Sequence, residues 1–167
     1  MSAPGEPAAI APAVNEANHR FPRHRKSVGR ARAALREQLA IWGVTDEPAE
    51  TAVLLLSELV TNAVEHAKAS PGREIGTRFG LYEGVLRLEV ADANDDLPVP
   101  RPAADDDENG RGLALVSALA DRWGTCPRRD GIGKRVWVEL KIPTGGGGEL
   151  TPQSSAVRPA AWRWPTG

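Results

Sequence analysis

The chain has 167 residues, a formal net charge of −1, 41% hydrophobic and 26% charged residues, the profile of one globular domain with enough chain to bury a core. A charge balance this close to zero points to neither a nucleic-acid nor a membrane-surface partner, and no apolar run approaches the ~18 residues of a membrane span. Cys126 is the only cysteine, which excludes an internal disulfide; with no charged-then-apolar signal pattern at the N-terminus, the expected compartment is the reducing cytoplasm.

Residues 1–18 are rich in Ala and Pro without periodicity and read as a disordered tail. Residues 19–26 then set basic and imidazole side chains around Phe21 and Pro22. They read as a short edge strand with a solvated basic face, with a nucleic-acid arm as the competing reading. Ser27 is placed to N-cap a helix over 27–42, with Val28, Ala31, Leu35, Leu39 and Trp42 on its apolar stripe and Gly43 at its end. Arg30, Arg32 and Arg36 fall off that stripe, toward solvent or a partner.

A second helix starts at Asp46, with Pro48 in its first turn, and Ser70, Pro71 and Gly72 stop it. Its central run, LLLSELVTNAVEHA over 54–67, carries three stripes. At ~100° per residue, Val53, Leu56, Val60, Ala63, Val64 and Ala67 share a face for the core. Ser57, Thr61, Glu65 and Lys68 form a solvated stripe. Glu58, Asn62 and His66 form a third, beside Leu55 and Leu59. Polar groups among leucines cost free energy unless something binds them. The third stripe therefore reads as the wall of a ligand site, against the plainer reading of an amphipathic helix with a ragged polar face.

Strands follow. Ile75, Thr77, Phe79 and Leu81 alternate, Glu83-Gly84 reads as a tight hairpin turn, and Leu86, Leu88 and Val90 share the inner face of the next strand. Asp92 continues that same face, so a carboxylate ends a buried apolar row. Residues 93–109 form a long Pro/Asp-rich loop. Asn109, Gly110, Arg111 and Gly112 then open a helix expected to run to about Trp123, with Leu113, Val116, Ala120 and Trp123 inward. Glycine-rich sequence at a helix start exposes backbone N–H groups that suit anions and phosphates, though it also serves as a simple cap. A short strand over 125–128, a turn at Gly131-Ile132-Gly133 and an alternating strand over 135–142 complete the core; Val136, Val138, Leu140 and Ile142 point inward, Arg135, Glu139 and Lys141 outward. Residues 145–148 are a glycine linker, and the Pro-rich end carries Trp162 and Trp164 without a core of their own. His19, His24 and His66 have no metal-ligating neighbours in sequence, and no Walker A pattern occurs.

Taken in order, these features resemble the GHKL ATPase superfamily (the Bergerat fold), and within it the anti-sigma-factor serine/threonine kinases. SELVTNAVEH at 57–66 resembles the N box, VADAN at 90–94 lies where the first glycine box lies, and NGRGLALV at 109–116 resembles the second; the likeness runs from about Phe21 to Ile142. The resemblance implies an α+β, two-layer α/β sandwich with a mixed, mostly antiparallel sheet and helices on one face, within an ATP-binding domain over 19–143 flanked by tails at 1–18 and 144–167. It implies that Asn62 binds Mg²⁺ through its side-chain oxygen, that Glu58 is the general base toward an attacking hydroxyl, and that Asp92 accepts from the adenine amino group. Gly110, Arg111 and Gly112, with Leu113 beside them, would meet the phosphates through the backbone, and Arg111 would add charge at the γ-phosphate.

The chain departs from the pattern in the first box, where Asp92-Ala93-Asn94-Asp95-Asp96 replaces Asp-x-Gly-x-Gly. Asn94 tolerates a left-handed backbone and can stand in for the first glycine in the nucleotide pocket; Asp96 cannot imitate the second. Two functions follow from the resemblance. One is an enzyme that transfers the γ-phosphate of Mg-ATP to a Ser or Thr of an anti-anti-sigma-like antagonist and holds a sigma factor, as a homodimer by analogy. The other is a weak or inactive Bergerat-fold module that works by protein contact through its first helix and the basic segment before it. A histidine-phosphorylating sensor kinase fits less well, because the chain has no room for a dimerising phospho-acceptor helix pair.

Overall fold

The computed structural model describes residues 15–66, 74–92, 108–128 and 133–143, with the side chains of His66 and of 108–113 left aside. In chain order the elements are β1 (Asn15–Pro22), α1 (Lys26–Ile41), α2 (Asp46–His66), β2 (Glu74–Tyr82), β3 (Val85–Asp92), α3 (Glu108–Leu119), β4 (Arg122–Pro127) and β5 (Lys134–Lys141). Period-two patterning aligns the strands into one sheet in the order β1-β2-β3-β5-β4. Every described pairing is antiparallel, the limiting case of the mostly antiparallel sheet expected. α2 lies over β2, β3 and β5, with α1 and α3 against its flanks. This is the two-layer sandwich, helices on one face.

Leu86, Leu88 and Val90 of β3, Ile75 and Phe79 of β2, and Val136, Val138 and Leu140 of β5 form one core with Leu55, Leu56, Leu59, Val60 and Ala63 of α2. Burial of each such aliphatic side chain is worth ~1.5–3 kcal/mol. The β2–β3 hairpin turns on Glu83-Gly84 as its spacing predicts: Tyr82 pairs with Val85, and Gly84 takes a positive φ of 78°.

Several expectations shift. β1 opens at Asn15, so residues 15–18 belong to the sheet and not to a tail. It is an edge strand, but His19 turns inward, its ring 5.3 Å from that of Phe79 and 6.0 Å from that of Phe21, while Arg20 stays exposed. Ser27 is not the N-cap. α1 begins at Lys26, and the Ser27 hydroxyl, buried, donates back to the Pro22 carbonyl, tying the helix start to the end of β1. The helix end matches its sequence signal closely. Gly43 at φ 71° donates to the Ala40 carbonyl, and Val44 N–H donates to that of Leu39, the two bonds of a Schellman motif. Leu39 and Val44 are both buried in the core beneath it.

α3 stops at Leu119, four residues before the expected end. Asp121 N–H bonds the Glu139 carbonyl, and Trp123 pairs with Val138, so the chain has already joined the sheet as β4. Trp123 still packs on the core, but by strand alternation and not helical period.

The outer face of the sheet is polar and yet buried. Rows across the register set Arg78, Glu89, Trp137 and Gly124 side by side, and next to them Gly80, Arg87, Glu139 and Arg122. Arg87 holds Glu89 at 2.8 Å and Glu139 at 2.7 Å and lies over the Trp137 ring at 4.3 Å. Arg122 and Arg135 reach Glu139 and Glu89 at 3.4 and 3.9 Å. The Trp137 indole occupies the space a side chain at Gly124 would need: a Cβ there would meet it at 2.6 Å. Burial pushes the Tyr82 hydroxyl and the Cys126 thiol on this face to higher pKa. Arg135 and Glu139 are therefore outward as expected, but not solvated; Lys141 is.

Two glycines with equally open surroundings should respond oppositely to alanine. Gly29→Ala, at an exposed position inside α1, should stabilise by about 0.5–1 kcal/mol, and Gly43→Ala should cost ~1 kcal/mol through its positive φ alone, read by urea denaturation. Arg87→Met should cost about 3 kcal/mol in the same experiment, because it strips the main cation from two buried carboxylates.

Candidate functional site

α2 places the site residues by the offset between its polar stripe and its exposed ridge. Leu54, 42% exposed, and Glu65 mark the side facing solvent, while Leu55 and Leu59 are buried. Glu58 and Asn62, one turn apart, lie between them and are half-buried. The border position makes them reachable by a ligand while one side of each rests on the core. Ser57, expected on the solvated stripe, is half-buried instead, and its hydroxyl is enclosed without a hydrogen-bond partner among the described residues.

Asp92 is the last residue of β3 and 4% exposed, on the inner face that Leu88 and Val90 also occupy. A carboxylate so placed requires partners for its charge. Across the ladder it faces Lys134, the first residue of β5, likewise buried. Lys134 is a buried cation that periodicity could not single out, because only the register of β3 on β5 brings it opposite Asp92.

The structure brings these parts together through α2. The helix packs on β3, which ends in Asp92, and on α3, which carries the second glycine box. Residues 67–73 alone separate the end of α2 from Glu74, and Gly76 in that strand pairs with Ala91, beside Asp92. The half of α2 with Glu58 and Asn62 is thus tethered to the end of the sheet where Asp92 sits. Asn94 and the rest of the loop lie outside the described residues.

The glycine box lies inside α3 and not in a turn before it, since the helix begins at Glu108. With the helix starting at Glu108, the N–H groups without an intrahelical acceptor among the described residues are those of 108–110, which include Gly110. Arg111, Gly112 and Leu113 follow, where N–H groups bond within the helix. An anion at this terminus would meet the donors of 108–110. Among the described residues no group of three or more His, Cys, Asp or Glu side chains could hold a metal by itself. The one donor on this stripe assigned to a metal, the side-chain amide oxygen of Asn62, would suit a hard cation that arrives with phosphates. No helix among the described residues is long and apolar enough to cross a membrane.

Comparison with known proteins places the chain in a family. The sequence profile of the histidine kinase-like ATPase domain matches residues 21–140. The chain is 33% identical over 107 residues to the serine-protein kinase RsbW of Bacillus licheniformis, covering 56% of this chain and 67% of that protein. With RsbW of Bacillus subtilis it shares 33% identity over 115 residues, covering 61% and 72%. Among solved structures, the RsbU and RsbW domains of Rv1364c from Mycobacterium tuberculosis superpose with a TM-score of 0.62 at 23% identity, over 77% of this chain and 32% of that one. At that identity the superposition speaks for the fold alone.

The enclosed Ser57 hydroxyl yields a prediction specific to this helix. Ser57→Ala should leave stability unchanged or raise it by up to about 1 kcal/mol in urea denaturation, since it removes a buried polar group that lacks a partner.

Proposed function

Because the chain belongs to the histidine kinase-like ATPase domain family, as a relative of the RsbW serine-protein kinases, we propose that it binds Mg-ATP and transfers the γ-phosphate to a Ser or Thr of a small antagonist protein, so controlling a sigma factor. The observation that carries this reading is the pairing of Glu58 and Asn62 on a half-buried stripe of α2 with the buried Asp92 at the end of the strand that α2 covers.

In this reading Asp92 accepts from the adenine amino group, and its burial excludes water that would compete for the same hydrogen bond. Asn62 offers a hard amide oxygen to the magnesium that accompanies the phosphates, which neutralises charge there when bound. Glu58, a turn away, takes the hydroxyl proton as the partner's oxygen bonds to the γ-phosphorus and the bond to the β-phosphate oxygen breaks. Gly110 lies at the α3 terminus, whose free N–H groups favour anions, and Arg111 beside it adds a side-chain charge. Arg30, Arg32 and Arg36, exposed along α1, give the protein partner a basic surface.

A second reading, a protein-binding module with weak or no turnover, rests on the first box, where Asn94 and Asp96 stand in place of both glycines.

Calorimetry with Mg-ATP decides between them. The wild type should bind, and Asn62→Ala and Asp92→Ala should each lose at least about tenfold in affinity, a factor equal to one charge-assisted hydrogen bond. Glu58→Ala should keep binding while phosphate transfer to the antagonist falls by about 10²–10⁴. A wild type that binds no nucleotide would move the assignment to the module.

A further inference from the structure

The outer face of the sheet is closed off from water, although the described helices lie on the other face. Arg87 is 1% exposed and Glu89 2%, both in the central strand, and Tyr82, Ala91 and Trp137 are buried without belonging to the core cluster. Stacked contacts within the face, Arg87 on Trp137 and the Trp137 indole over Gly124, cover part of it from β3 across β5 to β4. Tyr82 on β2 and Ala91 at the far end of β3 lie outside that stack and are buried as well. Something must lie over the face.

The chain itself supplies a matching occupant. Residues 1–14 hold no aromatic side chain, whereas the C-terminal end holds Trp162 and Trp164, two apart, so that in extended chain both rings point to one side. Guanidinium groups attract indole faces, and the outer face carries four of them, Arg78, Arg87, Arg122 and Arg135. The path is also suitable. β5 ends beside the β2–β3 turn, where Ile142 N–H bonds the Gly84 carbonyl at 2.7 Å, at the rim that carries Tyr82. The glycines at 145–148 allow the chain to reverse there. The stretch from Ile142 to Trp162 can reach ~60 Å extended, more than twice the ~27 Å length of an eight-residue strand.

We propose that the outer face of the sheet is the docking site of this chain's own C-terminal segment, residues 149–167, held by Trp162 and Trp164 against the arginine and tryptophan rows of β3 and β5. The segment shields the charge network and keeps the face from other partners.

Cys126, the only cysteine, reports on this directly, since it lies half-buried on the same face opposite Arg135. The full chain should be compared with Trp162→Ala/Trp164→Ala and Trp162→Phe/Trp164→Phe variants in reaction with a disulfide thiol reagent, with mass followed by light scattering. The alanine pair should react about tenfold faster, the factor for losing roughly one buried cation–π contact, and the phenylalanine pair should stay near the wild type. An unchanged rate in the alanine pair overturns the proposal: a dimeric mass would then assign the face to a second copy, and a monomeric mass to another cover. Acrylamide quenching gives an independent reading, should the alanine pair prove unstable. The emission that the wild type has and the phenylalanine pair lacks belongs to the two tail indoles. Protection of that emission supports docking, and quenching as fast as in the isolated 149–167 peptide overturns it.

Discussion

The burial of the leucine face of α2 against β2, β3 and β5 is the interaction on which the rest depends. It aligns the helix over the three central strands, and the core forms where Leu55, Leu56, Leu59 and Val60 meet Leu86, Leu88, Val90 and Val138. The same seating fixes where the polar stripe can go. With Leu55 and Leu59 inside, Glu58 and Asn62 have to stand at the border of the helix, against the layer that ends in Asp92. A site of polar groups at the edge of an apolar core costs stability, and the core supplies it. The enclosed Ser57 hydroxyl shows how little room that border leaves.

The sheet uses its two faces in different ways. The inner face follows plain alternation, and its β3 row is apolar down to Asp92. The outer face also alternates, but its polar positions are closed into a network around Arg87. Removing paired charges from water is costly and is recovered only with good geometry, so such a network contributes more to a defined arrangement than to net stability. Gly80 and Gly124 lie in its rows, and at Gly124 the Trp137 indole takes the place of a side chain.

Much of the candidate site was legible in the sequence. The stripe of Glu58, Asn62 and His66 beside leucines, and the carboxylate of Asp92 at the end of an apolar row, are periodicity signals, and periodicity is a property of the chain alone. Lys134 was not legible, because facing Asp92 depends on which residues of β5 pair with β3. Ser27 misled for a related reason. A serine before an apolar run suits a cap, but here its hydroxyl found the Pro22 carbonyl at the end of β1, a contact created by the turn into α1.

By itself the sequence determined the order of elements, the inner faces of β2, β3 and β5, the Glu83-Gly84 turn and the Gly43 helix stop, because these rest on spacing of two or 3.6 residues and on glycine's access to positive φ. The tertiary structure alone decided where helix gave way to strand around Trp123. The i, i+3 spacing of Ala120 and Trp123 satisfies a helix face, and the alternation of Trp123 and Thr125 satisfies a strand equally well; the ladder bond from Asp121 to Glu139 and the pairing with Val138 settled it. It also decided that the outward charges would be buried, since a strand's alternation says which face a residue takes and not what lies over that face.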